Sequence, residues 1–202
     1  AFGVNTLSQF LQQPKMSHID VGLRIVRYVK NQRILMSSNK NTTLTTYCDL
    51  DWASCPHTRR SVTGYIVKFS KSMIAWKSKK QTTISRSSAK AEYRSTATTV
   101  SELIWLIGMI KELGVNLKLP ADIYSDRKVV IQIATNPIYH ERTKHIEIDC
   151  HFIRDKIKGL IEMVYVRTED QQADLLTKGL SKVQHLYLMN KLGVFNILHP
   201  PA

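Results

Sequence analysis

The stretch Thr45-Thr46-Tyr47-Cys48-Asp49-Leu50-Asp51-Trp52-Ala53 constrains this chain more than any other. β-Branched and aromatic residues run straight into two carboxylates, the pattern of a strand entering a turn. Thr43, Thr45 and Tyr47 alternate with Leu44, Thr46 and Cys48, so one strand face is largely apolar and the other polar. Asp49 then falls where the strand ends, and Asp51 in the turn beyond it. A carboxylate at a strand terminus is held by a rigid sheet yet reaches the rim, where ligands bind. The same two acids also suit a solvated loop. Their meaning depends on whether other acids join them.

Composition sets the outer limits. A chain of 202 residues can bury a substantial core, one domain with a partial neighbour. Its net charge of +13 points to a polyanionic partner, nucleic acid before others. The basic residues fall in small clusters, Arg24/Arg27/Lys30, Arg59/Arg60, Lys77/Lys79/Lys80 and Arg154/Lys156/Lys158, which suits a folded basic surface better than a disordered arm. Cys48, Cys55 and Cys150 are odd in number with no repeat spacing, so a reduced, intracellular setting is expected. Cys55-Pro56-His57 and His145…Cys150-His151 lack paired ligand spacing, and no zinc is expected. No apolar run approaches the roughly 20 residues of a membrane span, so no membrane partner is expected either. The opening Ala1 and the lack of a signal-peptide layout suggest a piece of something longer.

Read in order, residues 1–40 are helical and separate from the rest, with Ser17 and Asp20 as a capping pair and Asn31 with the 37–41 polar run as linker. Residues 64–70 and 72–78 give two further strands, an antiparallel meander with the first. Ser85–Ser88 supplies hydroxyl caps for a long helix from Ala89 to Leu113, stopped by Gly114. Small residues along its first half, Ala91, Ser95, Thr96, Ala97 and Thr99, allow close approach to a strand and bring Glu92 to the sheet rim. First-turn dipole compensation is the plainer role for Glu92. Residues 120–125 form a fourth strand ending at Asp126, residues 127–135 a short helix, 147–158 another, and 160–167 a fifth strand. A last helical pattern from Thr168 carries Asp174.

Acids thus recur at strand ends or in helix turns facing the sheet: Asp49, Glu92, Asp126 and Asp174. Hard divalent cations take oxygen ligands, and two of them about 4 Å apart activate a water and stabilise the leaving oxygen of a phosphodiester. Clustered carboxylates repel one another without such cations.

The motifs Tyr47-Cys48-Asp49-Leu50-Asp51-Trp52-Ala53, Arg59-Arg60-Ser61-Val62-Thr63-Gly64-Tyr65, Trp76-Lys77-Ser78-Lys79-Lys80-Gln81 and Ser87-Ser88-Ala89-Lys90-Ala91-Glu92-Tyr93 resemble the ribonuclease H domain of copia-type LTR retrotransposon Pol polyproteins, plant members especially. The resemblance continues through Tyr124-Ser125-Asp126, Arg142-Thr143-Lys144-His145-Ile146 and Glu169-Asp170-Gln171-Gln172-Ala173-Asp174-Leu175-Leu176-Thr177-Lys178, covering residues 5–180 in order. Residues 1–36 resemble the tail of the preceding reverse transcriptase.

The resemblance implies an α/β ribonuclease H-like fold, a five-stranded mixed sheet with its first three strands antiparallel and helices flanking it. It divides the chain into 1–40 (reverse transcriptase remnant and linker), 41–180 (ribonuclease H domain) and 181–202 (C-terminal helix and tail). The family's catalytic and metal-binding carboxylates fall on Asp49, Glu92, Asp126 and Asp174, with Asp51 in reserve. The implied cofactor is Mg²⁺, with Mn²⁺ as substitute, two ions per site. The implied reaction is hydrolysis of the RNA strand of an RNA·DNA hybrid, with the reverse transcriptase of the same polyprotein as partner. The implied setting is a cytoplasmic virus-like particle or the nucleus. Arg59, Arg60, Lys77, Lys79, Lys80 and Arg127 are the expected nucleic-acid contacts. Lys90 and Arg127 depart from the family pattern, and Arg167-Thr168-Glu169 stands where cellular relatives carry a catalytic histidine. The alternatives are a non-catalytic nucleic-acid-binding remnant and a module that pairs with a polymerase.

Overall fold

The protein is described here by a computed structural model covering residues 1–135, 147–157 and 159–197. The expected motif at Arg142–Ile146 lies outside the described residues. The chain opens with Phe2–Leu7 (α1), Met16–Lys30 (α2) and a short strand, Gln32–Ile34 (β1). Thr43–Asp51 (β2), Val62–Phe69 (β3) and Ser72–Lys80 (β4) follow, then the long helix Ser88–Glu112 (α3). Lys118–Ser125 (β5), Lys128–Thr135 (α4), Glu147–Ile157 (α5) and Ile161–Tyr165 (β6) complete the central part. Asp174–Thr177 (α6), Lys182–Lys191 (α7) and Val194–Asn196 (β7) close it.

Five strands form one mixed sheet in the order β4-β3-β2-β5-β6. The meander β2-β3-β4 is antiparallel, and β5 and β6 add to β2 in parallel. Parallel pairs need crossovers, and α3 supplies the one from the meander to β5. The alternation along β3 divides the core. Tyr65 and Val67 face α3 and join Leu44, Val100, Leu103, Ile123 and Ile153 in the main cluster. Ile66 points the other way, to Leu175 and Leu176 of α6, Leu188 of α7 and Leu192 just past its end. Leu103 is fully buried, so its truncation to Ala leaves a cavity worth roughly 2–5 kcal/mol.

Several boundaries differ from expectation. β2 runs through Asp51, so Asp49 lies inside the strand and both acids are pinned by pairing, opposite Gly64 and Val62. The cap of α2 is Lys15, whose backbone N–H donates to His18 Nδ1, and not Ser17 with Asp20. Ser87 caps α3 as expected, accepting from the Lys90 backbone. The segment after β6 does not form one helix from Thr168; a short turn at Thr168–Asp170 precedes α6.

Residues 1–40, expected to stand apart, contact the rest of the chain. β1 pairs antiparallel with β7, and Tyr28 Oη hydrogen-bonds His185 Nε2 at 2.8 Å, so the N-terminal segment and C-terminal tail clasp each other. Asn5 Nδ2 also donates to Ser78 Oγ of β4 at 2.6 Å. These pairings join residues more than 70 apart, which local periodicity does not encode.

Candidate active site

Each acid reaches the site on a different element. Asp49 comes from the central strand β2, Glu92 from the second turn of α3, Asp126 from the residue after β5, and Asp174 from the first turn of α6. The approach of α3 to the sheet depends on its small residues. Ala91, Ser95, Thr96, Ala97 and Thr99 are all buried, and Ser95 Oγ donates to the Asp49 carbonyl at 3.2 Å. Gln171 holds the other side. Its amide donates to the carbonyls of Cys48 at 3.1 Å and Tyr124 at 3.4 Å, bridging β2 and β5 beside the first and third acids.

Asp49, Glu92 and Asp126 line one narrow cleft with Ser95, Thr96 and Arg127. Asp174 reaches Asp49 from the α6 side through a shared cation, the Lys178 ammonium, 3.1 Å from Asp49 Oδ1 and 2.8 Å from Asp174 Oδ1. Thr177 Oγ1 donates to the other Asp49 oxygen. Gly64 makes room for this contact: a Cβ there would stand 2.6 Å from Thr177 Cγ2 and 2.9 Å from Leu176 Cβ. Arg127 Nε sits 3.7 Å from both Glu92 Oε1 and Asp126 Oδ1. Thr168 Oγ1 donates to Asp126 Oδ2 at 3.3 Å, whereas Asp126 Oδ1 is buried with no hydrogen bond.

The electrostatics follow from this crowding. Burial, then the charge of Asp49, pushes the Asp174 carboxyl up to about 7 against the pull of Lys178. Burial likewise raises Glu92; Arg127 opposes the rise, and Asp126 and Asp49 add to it. Burial works against the charge of Lys178, but Asp49 and Asp174 outweigh it and its pKa rises. The four carboxylates therefore share one electrostatic environment. As the side chains stand, no three His, Cys, Asp or Glu among the described residues form a ligating set. Two cations stand among the acids. A buried carboxylate oxygen without a donor, in a cluster of oxygen ligands, is nonetheless a fit environment for a hard divalent ion.

Asp51 is half-buried at the end of β2, its pKa raised by burial, with Ser54 opposing. Lys77, Lys79 and Lys80 line a groove of about 220 Å³ with Thr63, Gln81, Arg94 and Thr98. Gln81 ties the groove to the acids, donating to Thr63 Oγ1 at 3.1 Å and to the carbonyl of Ala91, the neighbour of Glu92, at 2.9 Å. Lys80 is engaged elsewhere as well, its ammonium donating to Cys55 Sγ at 3.1 Å. Arg59 and Arg60 are exposed on the loop between β2 and β3. Sequence reasoning missed Thr177, Lys178, Gln171 and Arg94 as site residues. Only Lys178 left a signal, an acid-to-base spacing of i,i+4 from Asp174.

The fold is of the ribonuclease H type. LC11-RNase H1, isolated from compost by a metagenomic approach, superposes with a TM-score of 0.52 at 12% identity, over 67% of this chain and 93% of that one. The same protein in complex with an RNA/DNA hybrid gives 0.51, also at 12% identity, over 67% and 94%. No protein-family profile matches the sequence. Across its full length the chain is 40% identical to the Retrovirus-related Pol polyprotein from transposon RE1 of Arabidopsis thaliana and 39% identical to that from transposon RE2. Over 88% of its length it is 34% identical to the corresponding polyprotein from transposon TNT 1-94 of Nicotiana tabacum. Its homologues along the chain are copia-type Pol polyproteins of plant transposons, and the chain spans 14% of the length of these relatives.

Proposed function

We propose that this segment hydrolyses the RNA strand of RNA·DNA hybrids in a metal-dependent reaction during reverse transcription of its parent element. The observation that supports this most is the convergence of Asp49, Glu92, Asp126 and Asp174 from four separate elements, with Asp126 Oδ1 buried and lacking a hydrogen bond. The hybrid in the LC11-RNase H1 complex supports the substrate class.

Asp49, Glu92, Asp126 and Asp174 are the residues that would hold Mg²⁺, or Mn²⁺ in its place, two ions to the site. Such ions, when bound, acidify the attacking water and neutralise charge on the scissile phosphate and leaving oxygen. The protein supplies position. β2 and β5 fix Asp49 and Asp126 on a rigid sheet, and Gln171 locks the two strands together beside them. Lys77, Lys79 and Arg94 around the groove attract backbone phosphates, and a hybrid is read through its shape and 2′-hydroxyls with little base specificity. Residues 1–40 are read as the end of the reverse transcriptase that precedes the nuclease.

A labelled hybrid incubated with and without Mg²⁺ tests the reading. Cleavage of the RNA strand by wild type, lost without metal and in Asp126→Asn, is the expected result. Equal inertness of both proteins overturns it. Hybrid binding without cleavage would select the non-catalytic remnant, a reading favoured by the contacts that Lys178 and Arg127 already make to the acids.

A further inference from the structure

The acid cluster carries its own cation. The Lys178 ammonium bonds one oxygen each of Asp49 and Asp174, at 3.1 and 2.8 Å, and its side chain is only 25% exposed. Asp49 is turned to receive it, because Thr177 holds the carboxylate's second oxygen. The residue is anchored close by: the Lys178 backbone N–H donates to the Asp174 carbonyl at 2.9 Å, just past the end of α6. Beyond that anchor the side chain is a flexible four-carbon stem with a compact charge at its tip. It can leave without moving α6 or the sheet. Arg127 has a different relation to the other two acids. It lies 3.7 Å from each and is 52% exposed, a loose contact.

We propose that Lys178 is a displaceable counter-cation, occupying between Asp49 and Asp174 the place that a divalent ion takes, and withdrawing when that ion binds. Lys178 is on this account a positioning residue: it keeps two buried carboxylates together in the metal-free chain and sets how tightly metal is taken up. The inference rests on the metal-binding reading of the four acids. An ammonium satisfies both carboxylates with directed N–H bonds, and a divalent ion must break those bonds before it gains its ligands. Metal affinity is therefore reduced by the share of the chain in which Lys178 is seated, as for any site whose competent state is only part of the population.

The test is a Mn²⁺ titration of the 202-residue chain without nucleic acid, followed by the paramagnetic signal of the free ion. Lys178→Gln should bind Mn²⁺ roughly tenfold more tightly than wild type, and its metal-free thermal midpoint should fall. Lys178→Arg keeps the charge and the donors, and should bind Mn²⁺ no more tightly than wild type. Arg127→Gln removes the same charge nearby and should change affinity less than Lys178→Gln. Equal gains in the two Gln variants would show general charge removal and overturn the inference, as would tighter binding by Lys178→Arg or no gain in Lys178→Gln. Should Lys178→Gln not fold, the Arg variant alone decides by the same criterion. Absence of Mn²⁺ binding in every protein would instead overturn the metal reading itself, and the inference with it.

Discussion

The two halves of the acid cluster are held in opposite ways. Asp49 and Asp174 are closed: one largely covered ammonium bonds both, and a threonine hydroxyl takes a further oxygen. Glu92 and Asp126 are open: a half-exposed guanidinium stands 3.7 Å away, and one buried Asp126 oxygen has no hydrogen bond. The difference lies in where the cations are rooted. Lys178 follows the short helix that also carries Asp174, so its charge returns onto its own turn and the neighbouring strand. Arg127 leaves the sheet rim toward solvent. Asp49 and Glu92 lie within β2 and α3 and Asp126 directly follows β5, whereas both cations carry their charge on long stems at element ends, so the balance of charge can shift while the carboxylates stay in place.

The largest effect that would break this comparison concerns the open half. Asp126→Asn should reduce hybrid cleavage by at least roughly a hundredfold, since a lost ligand removes several kcal/mol of charge stabilisation. Single-turnover cleavage measures it, and retention of near wild-type rates would remove Asp126 from the machinery. The closed half is probed next by Gly64→Ala. The added Cβ meets Thr177 and Leu176 at 2.6 and 2.9 Å, and such overpacking costs about 1–3 kcal/mol. A urea melt should show that loss; an unchanged midpoint would mean that α6 is free to shift.

Titration separates the halves further. In the folded chain Asp174 titrates near 7, above the ordinary range of an unfolded aspartate, about 3.9. Between those values the folded protein holds a proton that the unfolded chain has released, so this group makes stability fall as pH rises from about 4 to 7. Below that window the group contributes no slope. Thermal midpoints of the metal-free protein should show the decline, and Asp174→Asn should flatten it; an identical slope in the variant would assign the titration elsewhere. The smallest effect belongs to the groove. Lys77→Ala and Lys79→Ala should each weaken hybrid binding modestly, lowering the log-log salt slope by about one for each phosphate left unneutralised. An unchanged slope would place the hybrid away from β4.

How much of this was legible varied by element. The three-strand meander, α3 and its Ser87 cap could be read because strand alternation, small-residue patterning and caps are local signals. Glu92 and Asp126 could be picked out because they stand in the early turns of α3 and directly after β5, elements that can be recognised in sequence, whereas Asp49 lies inside β2 and Asp174 on a four-residue helix that begins later than expected. The β1–β7 clasp was hidden, since Gln32–Ile34 is three residues long and its partner lies at the far end of the chain. Gln171 was hidden for a related reason. A glutamine in a loop has no pattern, and its value comes only from reaching the carbonyls of β2 and β5 at once.

The stretch Thr45–Ala53 by itself determined a strand that delivers carboxylates to a sheet rim, because side-chain alternation and strand length are properties of consecutive residues. The later acids, and the net charge of +13, determined that the partner is sought among polyanions. The resemblance put Asp49 first with Asp51 in reserve, and only the tertiary structure gives the physical reason that Asp49 meets the other acids. Register does this: Asp49 pairs opposite Gly64, where the missing Cβ admits Thr177 and, beside it, Lys178, whereas Asp51 pairs opposite Val62 at the strand's last position. It also decided that a lysine stands among the acids. An ion pair between residues 49 and 178 exists only when packing brings β2 and α6 together, and no count of charges along the chain contains that distance.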